Sequence, residues 1–181
     1  LPIMELLLKD IEKRLLGHPF IRTVEASVDQ QGILKLSLTQ HEPMARIARA
    51  ETADGYITKE GLLIATSPSY TSRVLIIQGV YIGSLMDQGR IDAIPELIPL
   101  IRFISQDKFW NAQVTELEIN GRNDIRIHQQ VGKQVIEFGD AHDYESKFER
   151  IALLYKEILP RKGWDAYKRI SVKYKNQIVC E

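Results

Sequence analysis

Residues 112–140 read AQVTELEINGRNDIRIHQQVGKQVIEFGD, and this stretch decides the fold class. It holds three β-prone runs, AQVTELEIN, DIRIHQQV and KQVIEFGD, separated only by GRN and VGK. Those connections are of hairpin length, so the three runs form an antiparallel meander. Immediately downstream, YESKFERIALLYKEIL is the clearest helix in the chain. Phe148, Ile151, Ala152, Tyr155, Ile158 and Leu159 recur at spacings of three and four, and Pro160 with Gly163 is expected to end the helix. In the tail, Ile170, Val172 and Tyr174 alternate with Ser171, Lys173 and Lys175, the period of a strand with one buried face. The helix at 144–159 lets that strand rejoin the meander as its last member.

Working back from the meander, SLMDQGRIDAIPEL begins loop-like and becomes a helix through Leu97, Ile98, Ile101 and Phe103. Pro95 suits a first helical turn, and Pro99 must kink the helix or mark its start. RVLIIQGV is a short apolar strand, and DGYITKEGLLIA a hairpin with Gly61 in its turn. At the N-terminus, LPIMELLLKDIEKRLLGHPF is an amphipathic helix with Ile3, Leu7, Ile11 and Leu15 on one stripe, Leu8 beside them and Gly17 as its stop. A hairpin follows, with Val24, Ala26 and Val28 on one strand and Leu34, Leu36 and Leu38 on the next. The helix has to cover this hairpin, because two strands alone are marginal in water. Hairpins dominate and helices are too few for alternating βαβ units, so the class is α+β.

Composition narrows the function. Twenty-four basic residues balance twenty-four acidic ones, so the excess of a nucleic-acid binder is missing. No apolar run reaches the length of a membrane span, and no signal peptide is visible. The chain opens on Leu rather than Met and reads as a fragment, with any targeting upstream. One cysteine makes neither an internal disulfide nor, alone, a metal site. His18, His41, His128 and His142 show no metal-ligand spacing. Asp140, His142, Asp143 and Glu145 are the densest polar cluster, and a helix start with an N-cap at Asp143 accounts for them. The tryptophans, Trp110 and Trp164, read as core wedges. No nucleophile elbow, phosphate loop or dinucleotide fingerprint is present. A catalytic role, a cofactor and a metal are therefore not expected; an interaction module is.

Three stretches carry a family resemblance. The first is IEKRLLGHPFIRTVEASVDQQGILKLSLTQHEPMARI (11–47), with its Pro19-Phe20-Ile21 corner, Val24, Gln40 and the Pro43-Met44-Ala45-Arg46 exit. The second is GYITKEGLLI (55–64). The third runs from VIEFGDAHDYESKFERIALLY, with Gly139 and Lys147, to the strand Ile170 to Gln177 within YKRISVKYKNQIV. Together they resemble the extracytoplasmic part of the bacterial cell-division family FtsQ, called DivIB in Gram-positive species. The first is similar to the later half of that family's POTRA module, whose initial strand and helix have no counterpart here.

The resemblance implies a small truncated POTRA-like helix-plus-hairpin module at 1–50. A mainly antiparallel β-domain with two helices would follow at 51–181. It implies a non-catalytic divisome scaffold or regulator in the periplasm, anchored in the inner membrane by one upstream helix and acting in septum formation. Its partners would be the small coiled-coil division proteins of the FtsB/DivIC and FtsL types, joined by strand addition, with the POTRA-like part serving other divisome proteins. The residues expected to meet a partner are Tyr174, Asn176, Gln177, Ile178 and Val179 on the tail strand. Lys147 and Arg150 on helix 144–159 join them as exposed charges. The rival readings are another POTRA-bearing envelope-assembly protein, or a periplasmic enzyme or ligand-binding domain using the 138–145 cluster.

Overall fold

Among residues 2–181, which the computed structural model describes, the N-terminal pattern folds as helix α1 (Pro2–Leu16) followed by antiparallel strands β1 (Ile21–Val28) and β2 (Leu34–Gln40). The helix is tied to the hairpin by the Glu12 carboxylate, which accepts the Ala26 N–H at 2.8 Å. Register sets Val24 opposite Leu38, Ala26 opposite Leu36 and Val28 opposite Leu34, so all six share one face. The helix shields only the β1 half of it. Leu34, Leu36 and Leu38 remain 44–46% exposed, so the expected cover is incomplete.

This unit ends at Pro43, and the second runs from Met44 to Glu181. Residues 44–50, read from sequence with the first module, thus lie in the second. The reason is strand β3 (Pro43–Ile47), which pairs in parallel with β6 (Leu75–Gln78). The second unit holds a nine-stranded sheet. Its remaining strands are β4 (Gly55–Thr58), β5 (Leu63–Ala65), β7 (Val114–Gly121), β8 (Asp124–Gln129), β9 (Val135–Gly139), β10 (Arg169–Ser171) and β11 (Val179–Cys180). In space the order is β11-β10-β9-β8-β7-β6-β3-β4-β5. The meander β7-β8-β9 is antiparallel, as its turns require. The β6–β7 and β9–β10 pairs are parallel, each joined through helices; the second is the expected return of the tail strand to the meander, whereas the first is a crossover the hairpin-rich sequence did not announce.

Helices α2 (Val80–Asp87), α3 (Leu97–Gln106), α4 (Lys108–Gln113), α5 (Tyr144–Leu153) and α6 (Leu159–Lys162) exceed the two expected. The loop-like SLMD is the end of α2, and Pro99 lies in the first turn of α3, where its missing N–H costs nothing. Pro160 does not end the last helix. A wide turn at Leu154–Ile158 absorbs the missing N–H, α6 continues to Lys162, and Gly163 stops it at φ 102°.

The alternation of the meander explains the layering. Leu117, Ile119, Ile125, Ile127, Ile136 and Phe138 are buried beneath Leu100, Ile104, Phe148, Ile151 and Leu154 of the helices, in one continuous core. The residues between them form a polar face: Glu118 meets His128 at 2.9 Å and Arg126 at 3.8 Å, and Glu137 meets Arg169 at 2.8 Å and Lys173 at 3.2 Å. Trp110 is buried with its ring 4.6 Å from Phe148, the expected core wedge, whereas Trp164 sits at the rim, 5.8 Å from Tyr155.

Tyr155 is a buried titratable group of this core. Burial pushes its phenol up to about 12, although a hydrogen bond from Gln113 pulls the other way. The native state therefore binds this proton more tightly than the unfolded chain does. The resulting stability is complete below the ordinary value near 10 and is lost as pH rises from there to about 12. Denaturant unfolding followed from about pH 9 to about pH 12 should show a decline on the order of 2 kcal/mol that is flattened in Tyr155→Phe.

Candidate functional site

The tail is built from the inside outwards. Ile170 is fully buried opposite Ile136, and Val172 is buried too, so β10 is fixed against β9 by the apolar half of its alternation. The Val135 N–H donates to the Lys168 carbonyl and the Val172 N–H to the Glu137 carbonyl, completing the parallel ladder. The sequence alternation was therefore right up to Val172. It fails beyond, because the expected strand through Gln177 is a turn: Gln177 N–H donates to the Tyr174 carbonyl, and Asn176 takes the left-handed conformation at φ 59°. Asn tolerates that region better than most side chains.

After the turn the chain returns as β11, antiparallel to β10, with Ile170 opposite Cys180 and Ser171 opposite Val179. Arg169 and Glu181 exchange both backbone bonds, at 2.9 and 3.0 Å. In an antiparallel pair, inward and outward bonding groups alternate along the strand. It follows that Val179 bonds towards β10, while the N–H and C=O of Cys180 and Ile178 point away from the sheet. β11 is one of the two end strands, β5 being the other, so this side is an open edge of the sheet. Ile178 and Cys180 turn their side chains to the core, and Val179 stays partly exposed on the other face. Burial pushes the Cys180 thiol up, which disfavours its thiolate.

Of the residues expected to meet a partner, Ile178 and Val179 fall on this edge or beside it, and Tyr174, Asn176 and Gln177 in the adjoining turn. Tyr174 projects into solvent with 61% exposure. A polar depression of about 200 Å³ lies beside it, lined by Val179 and by Glu137 with its Arg169 and Lys173 partners. Arg169, Glu137 and Glu181 were missed, because a parallel pairing across 34 residues of sequence (169 against 135, 171 against 137) gives no local signal of which side chains meet.

The structure corrects the reading of Lys147 and Arg150 as exposed charges. Lys147 is only 5% exposed: its ammonium donates to the Asp140 carbonyl and carboxylate, both at 2.8 Å, and lies 4.8 Å over the Phe138 ring. Gly139 precedes it at φ 83°, allowing β9 to turn sharply into α5. Arg150 donates to the Val172 carbonyl at 2.8 Å, joining α5 to the end of β10. Both are positioning residues that hold the tail in place.

The 138–145 cluster is accounted for by the same junction. Asp140 also accepts the His142 N–H, His142 meets Glu96 at 2.8 Å, and Asp143 begins α5 in the left-handed region without a side-chain cap. Among the described residues, no group of three or more potential metal ligands comes together.

A family model described as FtsQ/DivIB, C-terminal related, matches residues 42–181. No curated protein matches the chain.

The junction makes its own prediction. Burial tends to raise the Asp140 carboxyl, but hydrogen bonding and charge from Lys147, with the His142 N–H, outweigh it and hold it below its ordinary value. This stability is present above the ordinary carboxylate range and is lost as pH falls through the lowered native value. Lys147→Ala should destabilise by about 2 kcal/mol in denaturant unfolding near neutral pH, less than a fully buried pair because Asp140 is half open to water. The variant should also lose Asp140's share of the wild type's acid-side decline, while the shares of Asp29 and Glu118 persist.

Proposed function

The chain belongs to the FtsQ/DivIB, C-terminal related, family of cell-division proteins, and on that premise we propose that it is a non-catalytic scaffold or regulator of the divisome. In this reading it works in the periplasm during septum formation, from a protein anchored in the inner membrane by a single helix. The partners are small coiled-coil division proteins of the FtsB/DivIC and FtsL types. They dock by adding a strand to β11.

The observation that carries the reading is the open edge at Ile178 and Cys180. Unpaired backbone donors and acceptors on an end strand are a template for another chain, and they supply affinity without demanding a particular side chain. Selectivity then comes from what flanks the edge. Tyr174 offers an apolar ring with a polar tip, a combination suited to interfaces. Lys175 in the turn is exposed and discourages indiscriminate pairing, so an acidic segment is the better guest. Lys147 and Arg150 contribute indirectly, by fixing the strand that the guest extends.

Residues up to Pro43 are, in the same reading, the helix-plus-hairpin part of a POTRA-like module serving other divisome proteins near the membrane. The open leucine face of β2 fits the additional strand and helix that the family's module carries ahead of this helix.

The test is binding to the periplasmic segment of the cognate FtsB/DivIC-type protein. Ile178→Pro removes an outward N–H while leaving the β10–β11 bonds in place. It should keep the wild-type circular dichroism and weaken binding by about tenfold or more. Tyr174→Ala should weaken it less. Undiminished binding by a folded Ile178→Pro variant would place the partner elsewhere and sink the strand-addition model.

A further inference from the structure

Strands β3, β6 and β7 are parallel neighbours, so their carboxyl ends open on the same side of the sheet. The segment leaving β3, the start of α2 and the end of β7 enclose a groove of about 670 Å³ there. Crevices outside the carboxyl ends of parallel strands are where open sheets take ligands. This groove is independent of the tail edge and is not used by the division-scaffold reading.

Its wall is unusual in three respects. Val80, in the first turn of α2, is 85% exposed, the most exposed large apolar side chain among the described residues. Gly83 lies in the middle of α2, yet a Cβ built on it would meet nothing within 4 Å. No internal packing therefore requires a glycine at a position where glycine weakens a helix. The open space above Gly83 lets another molecule approach the helix backbone closely. Ala48 and Ala50 continue the shallow apolar floor.

The charges at the rim set the chemistry of the guest. Arg49 is committed to Asp87 at 2.7 Å. Glu118 is held ionised, below its ordinary value, by hydrogen bonds from His128 and Asn120, and shares its charge with Arg126. Glu51 has no hydrogen bond or ion pair among the described residues and lies exposed at the groove mouth. Of the three carboxylates that line the groove, Asp87 is paired with Arg49 and Glu118 shares Arg126, which leaves Glu51 as the uncompensated charge. Against such a rim an acidic segment is repelled and a basic one attracted.

We propose that this groove docks an extended segment of a partner protein, setting a small apolar residue against Val80 and Gly83 and a lysine or arginine beside Glu51. The volume accommodates a few residues, so contact is local and exchange is fast.

The test uses the isotope-labelled full chain and two matched heptapeptides, Gly-Lys-Val-Ala-Val-Lys-Gly and Gly-Glu-Val-Ala-Val-Glu-Gly, acetylated and amidated. The basic peptide should give saturable amide shifts confined to 48–52, 79–84 and 118–120, with affinity in the low-millimolar range or better. Gly83→Leu fills the groove with a better helix former, so it should fold at least as well and weaken binding by about tenfold. Glu51→Lys should erase the preference for the basic peptide. Absence of saturable shifts overturns the proposal. So do shifts indifferent to peptide charge, or binding that survives Gly83→Leu.

Discussion

The arrangement of the second unit depends on one ammonium group. Lys147 brings a positive charge nearly out of water, a placement tolerated only where the charge is paired and hydrogen-bonded. It bonds the carbonyl and the carboxylate of Asp140 and covers Phe138, fixing the angle at which α5 leaves the sheet. Gly139 allows the turn, Lys147 selects one geometry for it, and one helical turn later Arg150 reaches the carbonyl of Val172. The strand order at that end of the sheet follows. β10 lies beside β9 because α5 returns the chain there, and β11 folds back because Asn176 adopts a left-handed turn.

Strand β4 is buried on both faces, whereas from β7 to β10 the sheet is one-sided. Its apolar face is covered by α2 to α6, while its other face is a lattice of ion pairs spanning β7 to β10. Exposed ion pairs contribute little individually. Their larger effect here is exclusion, since a charged face cannot stack on another sheet. The charged face thus leaves the two end strands, β5 and β11, as the backbone edges of the sheet, and the proposed strand addition uses the second of them.

Much of this was legible in sequence because it is local. The period of two in 112–140, the hairpin at Gly61 and the three-and-four spacing from Phe148 to Leu159 each report a neighbour a few residues away. The β6–β7 pair was not legible, because it joins strands across a helical crossover whose length hides the relation; the return of the tail strand beside β9 was, but not the side-chain contacts that follow from it. The same gap explains the site. Lys147 and Glu149 look alike in a charged helix, and only the turn at Gly139 shows that the first faces inwards and the second outwards. Tyr174 lies in phase with Ile170 and Val172, so periodicity alone extended the strand; the turn that ends it depends on a backbone conformation at Asn176. Gly83 left no trace either, since a glycine in a helical pattern reads as a weakness until the space above it is seen to be open.

The crossovers do more than set strand order. A purely antiparallel meander has no common carboxyl end; two parallel neighbours on β6 create one, and α2 rises from its rim. The groove formed there and the free edge of β11 belong to the same sheet but are four strand spacings apart, counting from β7 to β11. At the usual spacing that is about 19 Å, wider than a helix with its side chains. A guest strand on β11 and a guest segment in the groove therefore do not compete for space. Because the strands between them are braced by one continuous core, occupying either site has no loose element through which to disturb the other. A sheet braced in this way keeps the two proposed sites at a fixed separation, which is what the proposed scaffold role requires of a rigid body.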